Sequence, residues 1–238
     1  MKKAEDKTEE LKSMYSKNNC APLALFLEEN RIEAGLDEAG RGCLSGPVFA
    51  AAVILDPSNP IEGLNDSKKL SREERFALRE QIHAKAKAYA VASCSASEID
   101  EINILQASFL AMHRALDQLN CRPAHLLVDG NRFKPYGGIP FSCIIKGDGK
   151  MASIAAASIL AKTYRDEWME SLHEEFPFYG WQTNKGYPTR EHVKAIATYG
   201  QCTHHRMTFR WDKNIHQLEM EFESVQRSGV ERLESRER

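Results

Sequence analysis

Three apolar runs in this 238-residue chain each end in carboxylic acids. Asp37 and Glu38 follow IEAGL, Asp129 follows HLLV, and Asp148 follows FSCIIKG. Short apolar runs bounded by turn residues are typical of buried strands. In an open α/β sheet the functional crevice lies beyond the carboxyl ends of the strands. We therefore expect these four acids to meet at one edge of a sheet.

Strand-like and helix-like segments alternate from residue 32 to about residue 200, which is typical of the α/β class. The predicted strands span 32–37, 48–55, 88–96, 125–129 and 141–146. The predicted helices span 72–87 after a Ser71–Glu74 capping box, one long segment from Ser97, 151–176, and 189–199 before Gly200. Small residues dominate SIAAASILA in the 151–176 helix, so this half should pack tightly against a sheet.

Amphipathic patterns at both ends predict helices outside this core. Residues 1–30 are expected to form a helical extension, 31–212 the main domain, and 213–238 a helical tail. No apolar h-region follows the first lysines, and no uncharged stretch reaches the ~20 residues that cross a bilayer. Six cysteines without a CxxC pair indicate reduced thiols. We expect a cytoplasmic monomer that does not bind membranes.

The overall charge limits how the chain can meet nucleic acid. Lys and Arg number 32 and Asp and Glu 34, for a net charge of -2. This excludes a polycation that coats nucleic acid, so any such contact needs a local patch.

Four carboxylates at one sheet edge would repel each other, and a bound divalent cation is the usual remedy. All-oxygen ligands favour Mg²⁺ or Mn²⁺ over Zn²⁺. Taken singly, Asp129-Gly130 and Asp148-Gly149 are also common turn dipeptides. Adjacent strand residues point to opposite faces, so Asp37 and Glu38 share a site only if the chain twists between them.

A series of motifs in a fixed order resembles type 2 ribonuclease H, the bacterial ribonuclease HII. The motifs are GLDEAGRGCLSGPVFAAAVIL, NDSKKLS, LLVDGN, IIKGDGKMASIAAASILAKTYRD, NKGYPTREH and HHRMTF, from about Glu33 to about Trp211. The resemblance implies a ribonuclease H-like fold, with a central mixed sheet of about five strands flanked by helices and further helices on the C-terminal side.

The same resemblance implies an endonuclease for RNA/DNA hybrids and for ribonucleotide-containing duplex DNA. It would cut 5′ of a single embedded ribonucleotide and leave a 3′-hydroxyl and a 5′-phosphate. Asp37, Glu38, Asp129 and Asp148 would be the catalytic residues and would hold two Mg²⁺ or Mn²⁺ ions. Asp37 would bridge both ions, Asp148 would hold the ion that activates water, and Glu38 with Asp129 the ion at the leaving oxygen.

Substrate contacts are also implied by the matched motifs. The backbone of Gly40, Arg41 and Gly42 would read the 2′-hydroxyl, the group that distinguishes RNA from DNA. Tyr187 would stack on the sugar that follows the ribonucleotide. Read without the resemblance, these positions are a flexible turn and a surface aromatic.

Further polar residues of these motifs are weaker candidates, because Lys and Arg are usually solvated surface residues. Ser67, Lys68, Lys69, Lys146, Lys162, Arg165 and Lys185 are candidates for contact with the substrate backbone. His204, His205 and Arg206 are interpreted as packing and backbone-contact residues, since a zinc site would need more ligands. Gly149 stands where the family often has Ala or Ser, which would loosen the turn that carries Asp148.

Two other functions remain open on the sequence. The chain could be a non-catalytic module that binds RNA/DNA hybrids, although the intact set of acids argues against it. It could also be another two-metal nuclease of this fold, such as a type 1 ribonuclease H or a resolvase, against which Gly40–Gly42 and the motif order argue.

Overall fold

A computed structural model describes residues 23–212 of the chain. The helices predicted for 1–22 and 213–238 lie outside the described residues. The chain divides into two compact units. Within the described residues, the first unit comprises 23–39, 49–93 and 109–163, and the second comprises 40–48, 94–108 and 164–212.

Five strands form one mixed sheet, as predicted. They are β1 Glu33–Ala39, β2 Val48–Ile54, β3 Ala88–Cys94, β4 His125–Asp129 and β5 Phe141–Ile144. The strand order is β3-β2-β1-β4-β5. Strand β1 runs antiparallel to β2 and parallel to β4, and β4 runs parallel to β5. The carboxyl ends of β1, β4 and β5 therefore lie at the same edge of the sheet, which is where the acids follow.

The helices predicted at 72–87, 151–176 and 189–199 are confirmed close to their expected bounds, whereas the short helix at Trp181–Asn184 was not predicted. The helices of the described chain are α1 Arg72–Lys85, α2 Ala96–Ile102, α3 Ile104–Asp117, α4 Ala152–Glu175, α5 Trp181–Asn184 and α6 Arg190–Tyr199. Short 3-10 turns occur at Ser67–Lys69, Gly147–Gly149 and Pro177–Tyr179. Ser71 and Glu74 form the predicted capping box of α1. No helix within residues 23–212 is both long and apolar enough to cross a membrane.

The single helix predicted from Ser97 is wrong in its start and its continuity. Ser95 caps α2 and forms a capping box with Glu98. Asn103 then adopts a φ of 67°, which ends α2. Its side-chain Oδ1 accepts hydrogen bonds from the N–H groups of Leu105 (3.0 Å) and Gln106 (3.2 Å) and so starts α3. A positive φ is uncommon outside glycine but is enriched at Asn, and this single residue separates the two helices.

Three other boundaries differ from the prediction. Residues 23–30 form turns and an isolated bridge between Ala24 and Met151 rather than a helix. Strand β1 continues past Asp37 to Ala39, because its ladder to β2 continues. Strand β5 ends at Ile144, before Lys146 adopts a φ of 56°.

The first half of α4 packs against the sheet, as its small residues predict. A Cβ atom placed on Gly35 of β1 would lie 2.2 Å from the backbone carbon of Ser153. Glycine is therefore required there so that strand and helix can approach closely. The core of the second unit is different in kind, because it is built from large side chains that include Met169, Tyr179 and Trp181.

Candidate active site

Asp37 and Glu38 occupy successive positions near the end of β1, in the first unit. Asp37 pairs with Ala51 of β2 and Glu38 with Ala50, so the strand is regular at both acids. The expected twist between them is absent, because the backbone ladder extends to Ala39. The N–H of Glu38 donates to Oδ1 of Asp37 at 2.7 Å. Asp37 is buried and Glu38 is half-buried.

Asp129 is hydrogen-bonded to the turn after β5, and this turn carries Asp148. Asp129 is the last residue of β4, and Asp148 lies in the 3-10 turn Gly147–Gly149. The Gly147 N–H donates to Oδ1 of Asp129 at 2.6 Å. A Cβ at Gly147 would lie 2.6 Å from Cδ1 of Ile154, so a larger residue there would require the end of that side chain to move. The turn that carries Asp148 is thus held against Asp129.

The electrostatics of this edge reflect crowded negative charge. Burial raises the pKa of Asp37 well above its usual range, and the charges of Glu38 and Asp129 raise it further. Burial also raises the pKa of Asp129, and the charge of Asp148 adds to this effect. These shifts mean that ionising the carboxylates costs free energy in the folded protein.

Lys68 and Ser67 lie at the same edge, in the 3-10 turn that precedes α1. The Lys68 ammonium contacts Oδ2 of Asp148 at 3.1 Å, although 79% of the Lys68 side chain is exposed. This hydrogen bond raises the pKa of Lys68. Ser67 is buried, and its hydroxyl lies 3.0 Å from the hydroxyl of Ser158, which hydrogen-bonds Asp37. The contact of Ser67 with substrate stays a prediction; in this conformation its buried hydroxyl contacts Ser158, which links it to Asp37.

The donors at this edge fit a hard divalent cation in type and charge. All four are carboxylates, and neighbouring negative charges raise the pKa of Asp37 and of Asp129, so a bound cation would relieve repulsion there. As the side chains stand, no group of three or more His, Cys, Asp or Glu residues within 23–212 is placed to hold a metal ion. The Lys68 ammonium and the Gly147 N–H instead bind oxygens of Asp148 and Asp129.

The glycine loop, residues 40–47, belongs to the second unit. Gly40 has a φ of 96°, and a Cβ there would lie 2.1 Å from Nε of Arg165, so glycine is required by both backbone and packing. At Gly42 a Cβ would meet nothing within 4 Å, and its φ is not positive. Arg41 and Gly42 are exposed. The protein's own packing therefore explains the glycine at position 40 but not the one at position 42.

Arg206 is buried beneath the glycine loop and hydrogen-bonds three of its carbonyl oxygens. Its Nε donates to Gly46 O at 3.0 Å, Nη1 to Arg41 O at 3.0 Å, and Nη2 to Gly40 O at 2.7 Å. This agrees with its interpretation as a backbone-contact residue. Burial lowers the pKa of Arg206 to about 10, which still leaves it charged at neutral pH.

Arg165 is a second buried arginine in the same unit. It donates to the carbonyl oxygens of Pro47 (3.1 Å), Lys185 (2.9 Å) and Ser45 (3.2 Å). The expectation that Arg165 contacts phosphates is wrong, because its guanidinium is buried and engaged with backbone. Local sequence patterns missed this role, and only the position of Arg165 within the matched motifs marked it.

Tyr187 follows Gly186 in the loop after α5 and is 41% exposed. The Arg165 guanidinium lies 5.9 Å from the centre of its ring. The Tyr187 carbonyl lies 2.9 Å from Nδ1 of His192. The other ring nitrogen of His192, Nε2, accepts a hydrogen bond from the Trp181 indole N–H at 2.9 Å and lies 3.3 Å from Nε2 of His205. A buried network therefore holds the backbone of Tyr187 while its ring remains accessible.

The remaining lysines differ in what they contact. The Lys185 ammonium contacts Oε1 of Glu170 at 2.7 Å and also the Gln182 carbonyl. Lys162 is half-buried, whereas Lys69 and Lys146 are exposed. In this conformation Lys185 is already paired, which weakens its case as a phosphate contact.

A family model described as Ribonuclease HII matches residues 34–212. A ribonuclease HII of Bacteroides thetaiotaomicron is 64% identical over 184 residues, which cover 77% of this chain and 92% of that protein. A ribonuclease HII of Phocaeicola vulgatus is 59% identical over 197 residues, with 83% and 98% covered.

Solved structures agree with this match. The ribonuclease H2 of Pyrococcus horikoshii superposes with a TM-score of 0.64 at 27% identity, covering 78% of this chain and 97% of that one. The ribonuclease HII of Archaeoglobus fulgidus, solved in complex with PCNA, gives 0.62 at 28% identity, covering 75% and 95%. A Bst ribonuclease HIII solved with Mn²⁺ gives 0.63 at 20% identity, covering 79% and 70%, and supports the fold alone.

Proposed function

This chain belongs to the ribonuclease HII family of metal-dependent nucleases that act on RNA/DNA hybrids, and we propose that it also cuts duplex DNA 5′ of a single embedded ribonucleotide. The products would carry a 3′-hydroxyl and a 5′-phosphate. The observation that carries the proposal is the set of acids at the ends of β1, β4 and β5. The raised pKa values of Asp37 and Asp129 support a site that works with a cation.

In this proposal Asp37, Glu38, Asp129 and Asp148 hold two ions, Mg²⁺ or Mn²⁺. The strand is regular between Asp37 and Glu38, so a twist is not what brings them together; both lie near the carboxyl end of β1, and the charge of Glu38 already acts on Asp37. When bound, such ions lower the pKa of an attacking water and stabilise the leaving oxygen. Asp37 contributes a buried carboxylate, and Ser158 orients it through a hydrogen bond. Gly147 orients Asp129 in the same way. Lys68 supplies a positive charge beside Asp148 on a side chain that is mostly exposed.

The glycine loop would recognise the ribonucleotide. Gly42 is exposed and open, so a ligand is what remains to explain its lack of a side chain. A backbone N–H or carbonyl can bond a 2′-hydroxyl, which both donates and accepts. The exposed ring of Tyr187 would stack on the following sugar. Deoxyribose is preferred there, because a 2′-hydroxyl would crowd the ring.

Phosphate contacts are assigned to exposed or half-buried cations. Lys68, Lys146 and Lys162 fit this role by their exposure, and Lys185 would have to leave Glu170 first. We propose that the protein acts as a monomer in the cytoplasm and removes ribonucleotides during DNA replication and repair.

Cleavage of three duplexes of the same sequence tests the proposal. One is all DNA, one has a single ribonucleotide, and one has an all-RNA strand. With Mg²⁺ or Mn²⁺ we expect cutting of the last two only, with the single-ribonucleotide duplex cut at its 5′ side. No cutting of any duplex would favour a binding module. Cutting of the hybrid alone would favour a nuclease of the type 1 kind.

A further inference from the structure

The glycine loop is held from beneath by guanidinium groups rather than by apolar packing. Arg206 and Arg165 together bond six carbonyl oxygens, and five of these belong to residues 40–47. Both side chains are almost fully buried. A planar guanidinium presents five donors in a rigid fork, so each arginine fixes several peptide units relative to one another.

These bonds also fix which way the peptide N–H groups point. In a planar trans peptide the C=O of one residue and the N–H of the next point in opposite directions. The carbonyls of Gly40 and Arg41 point towards Arg206. The N–H groups of Arg41 and Gly42 therefore point away from it, and both of these residues are exposed.

The segment that carries Arg206 is itself anchored. Asp100 of α2 accepts hydrogen bonds from Met207 N (2.7 Å), Thr208 N (2.9 Å) and Thr208 Oγ1 (2.6 Å). The Arg206 N–H donates to Leu44 O at 2.9 Å, which ties the same segment to the glycine loop. The position of the guanidinium is thus set by backbone contacts on both sides.

Building on the proposed function, we propose that Arg206 and Arg165 are positioning residues for ribose recognition. By drawing the carbonyls of the glycine loop inward, they hold the N–H groups of Arg41 and Gly42 outward as donors for an oxygen of the ribonucleotide. Neither arginine touches the substrate. Their contribution lies in selecting ribose over deoxyribose, not in the chemistry of cleavage.

The test uses two DNA duplexes that differ by one 2′-hydroxyl. Binding is measured without divalent metal, on an Asp37→Asn background that prevents cleavage, and the readout is the ratio of the two dissociation constants. This ratio is insensitive to the fraction of folded protein. Arg206→Lys keeps the charge but loses the fork, so we expect the ratio to fall about tenfold, the factor that follows from losing about one hydrogen bond. The matched control is Arg210→Lys, at an exposed arginine four residues on, and should leave the ratio unchanged.

A milder variant covers the case in which Arg206→Lys does not fold. Asp100→Asn weakens the anchor of the Arg206 segment at a half-buried site, and we expect the ratio to fall about twofold to fivefold. A ratio that stays at the parental value in the folded variants overturns this inference and leaves the proposed function standing. Equal weakening on both duplexes overturns it as well, because it indicates a merely structural role. A parental ratio of one overturns both this inference and the proposed recognition of ribose.

Discussion

The two units bury charge in opposite ways. In the first, Asp37 and Asp148 are buried near like charges, and the pKa values of Asp37 and Asp129 are raised. In the second, Arg165 and Arg206 are buried just as deeply, but each guanidinium is bonded to three carbonyls. The acidic edge, formed by Asp37, Glu38, Asp129 and Asp148, is compensated only in part, through the exposed Lys68 ammonium at Asp148, whereas the arginines are matched to their surroundings.

This difference is the one expected between a ligand site, here the carboxylates, and a structural support, here the arginines. Buried carboxylates that raise each other's pKa reduce stability at neutral pH, and a site retains such a cost where a ligand relieves it. Buried arginines that satisfy carbonyls hold a loop in one conformation. Divalent cations should therefore change the stability of the acidic edge strongly. The glycine loop should be sensitive to substitutions that change its packing or its backbone conformation.

The largest effect is expected at Asp37. Asp37→Asn should abolish cleavage, because the buried carboxylate proposed to serve both ions loses its charge. The folded-state pKa of Asp37 is raised, so its charged form costs stability at neutral pH and the amide removes this cost. Without metal, the free energy of unfolding should rise by about 1 kcal/mol, or roughly 2–4 °C in Tm.

Cleavage kinetics and thermal unfolding in EDTA check both parts. A variant that keeps a few per cent of the wild-type rate would contradict the assignment of Asp37. A lower Tm in EDTA would contradict the account of repulsion at the acidic edge.

Alanine substitutions at two glycines of the loop should distinguish a structural role from a substrate contact. Gly40→Ala places a methyl group against Arg165 at a positive φ and should reduce the free energy of unfolding by about 2–4 kcal/mol. Gly42→Ala enters open space and should leave stability unchanged or raise it by about 0.4–1 kcal/mol. It should still slow cutting at a single ribonucleotide by about tenfold, which corresponds to 1.4 kcal/mol.

Urea unfolding and single-turnover cleavage of both variants test this contrast. Full activity in Gly42→Ala would contradict a substrate contact at Gly42 and favour an ordinary turn. Wild-type stability in Gly40→Ala would contradict the packing of Gly40 against Arg165.

A smaller and more selective effect is expected at Tyr187. Tyr187→Ala should slow cutting at a single embedded ribonucleotide by about 5- to 100-fold, since aromatic stacking is worth about 1–3 kcal/mol. The loss should be smaller within a long hybrid, where the next sugar is a ribose that fits the ring poorly. Tyr187→Phe should be nearly silent, because the ring makes the contact. An equal loss on both substrates would assign Tyr187 to general duplex binding.

Local sequence patterns predicted much of the first unit and of the acidic edge. Each acid lies at or shortly after the end of an apolar run, and parallel pairing of β1 with β4 and of β4 with β5 brings these ends to one side. The small residues of α4 predicted its close packing on β1. Such features depend on periodicity and on neighbours in the chain.

What the sequence missed depends on contacts far apart along the chain. Arg165 looked like a phosphate ligand, but it bonds carbonyls about 120 residues away, at positions 45 and 47. The burial of Ser67 depends on Ser158, which is 91 residues later. The break between α2 and α3 depends on Asn103 and its neighbours in sequence. It was not predicted because the apolar periodicity continues on both sides of Asn103.

The account's central claim is that the acidic edge is destabilised by repulsion that divalent cations relieve, and thermal unfolding during a Mg²⁺ or Mn²⁺ titration tests it most directly. At a cation concentration of about 100 times the dissociation constant, binding stabilises a protein by about 2.7 kcal/mol. The Tm of the wild type should then rise by roughly 5–10 °C. The Tm of Asp37→Asn should start higher in EDTA and barely respond. Equal rises in both proteins, or no rise in the wild type, would contradict the claim.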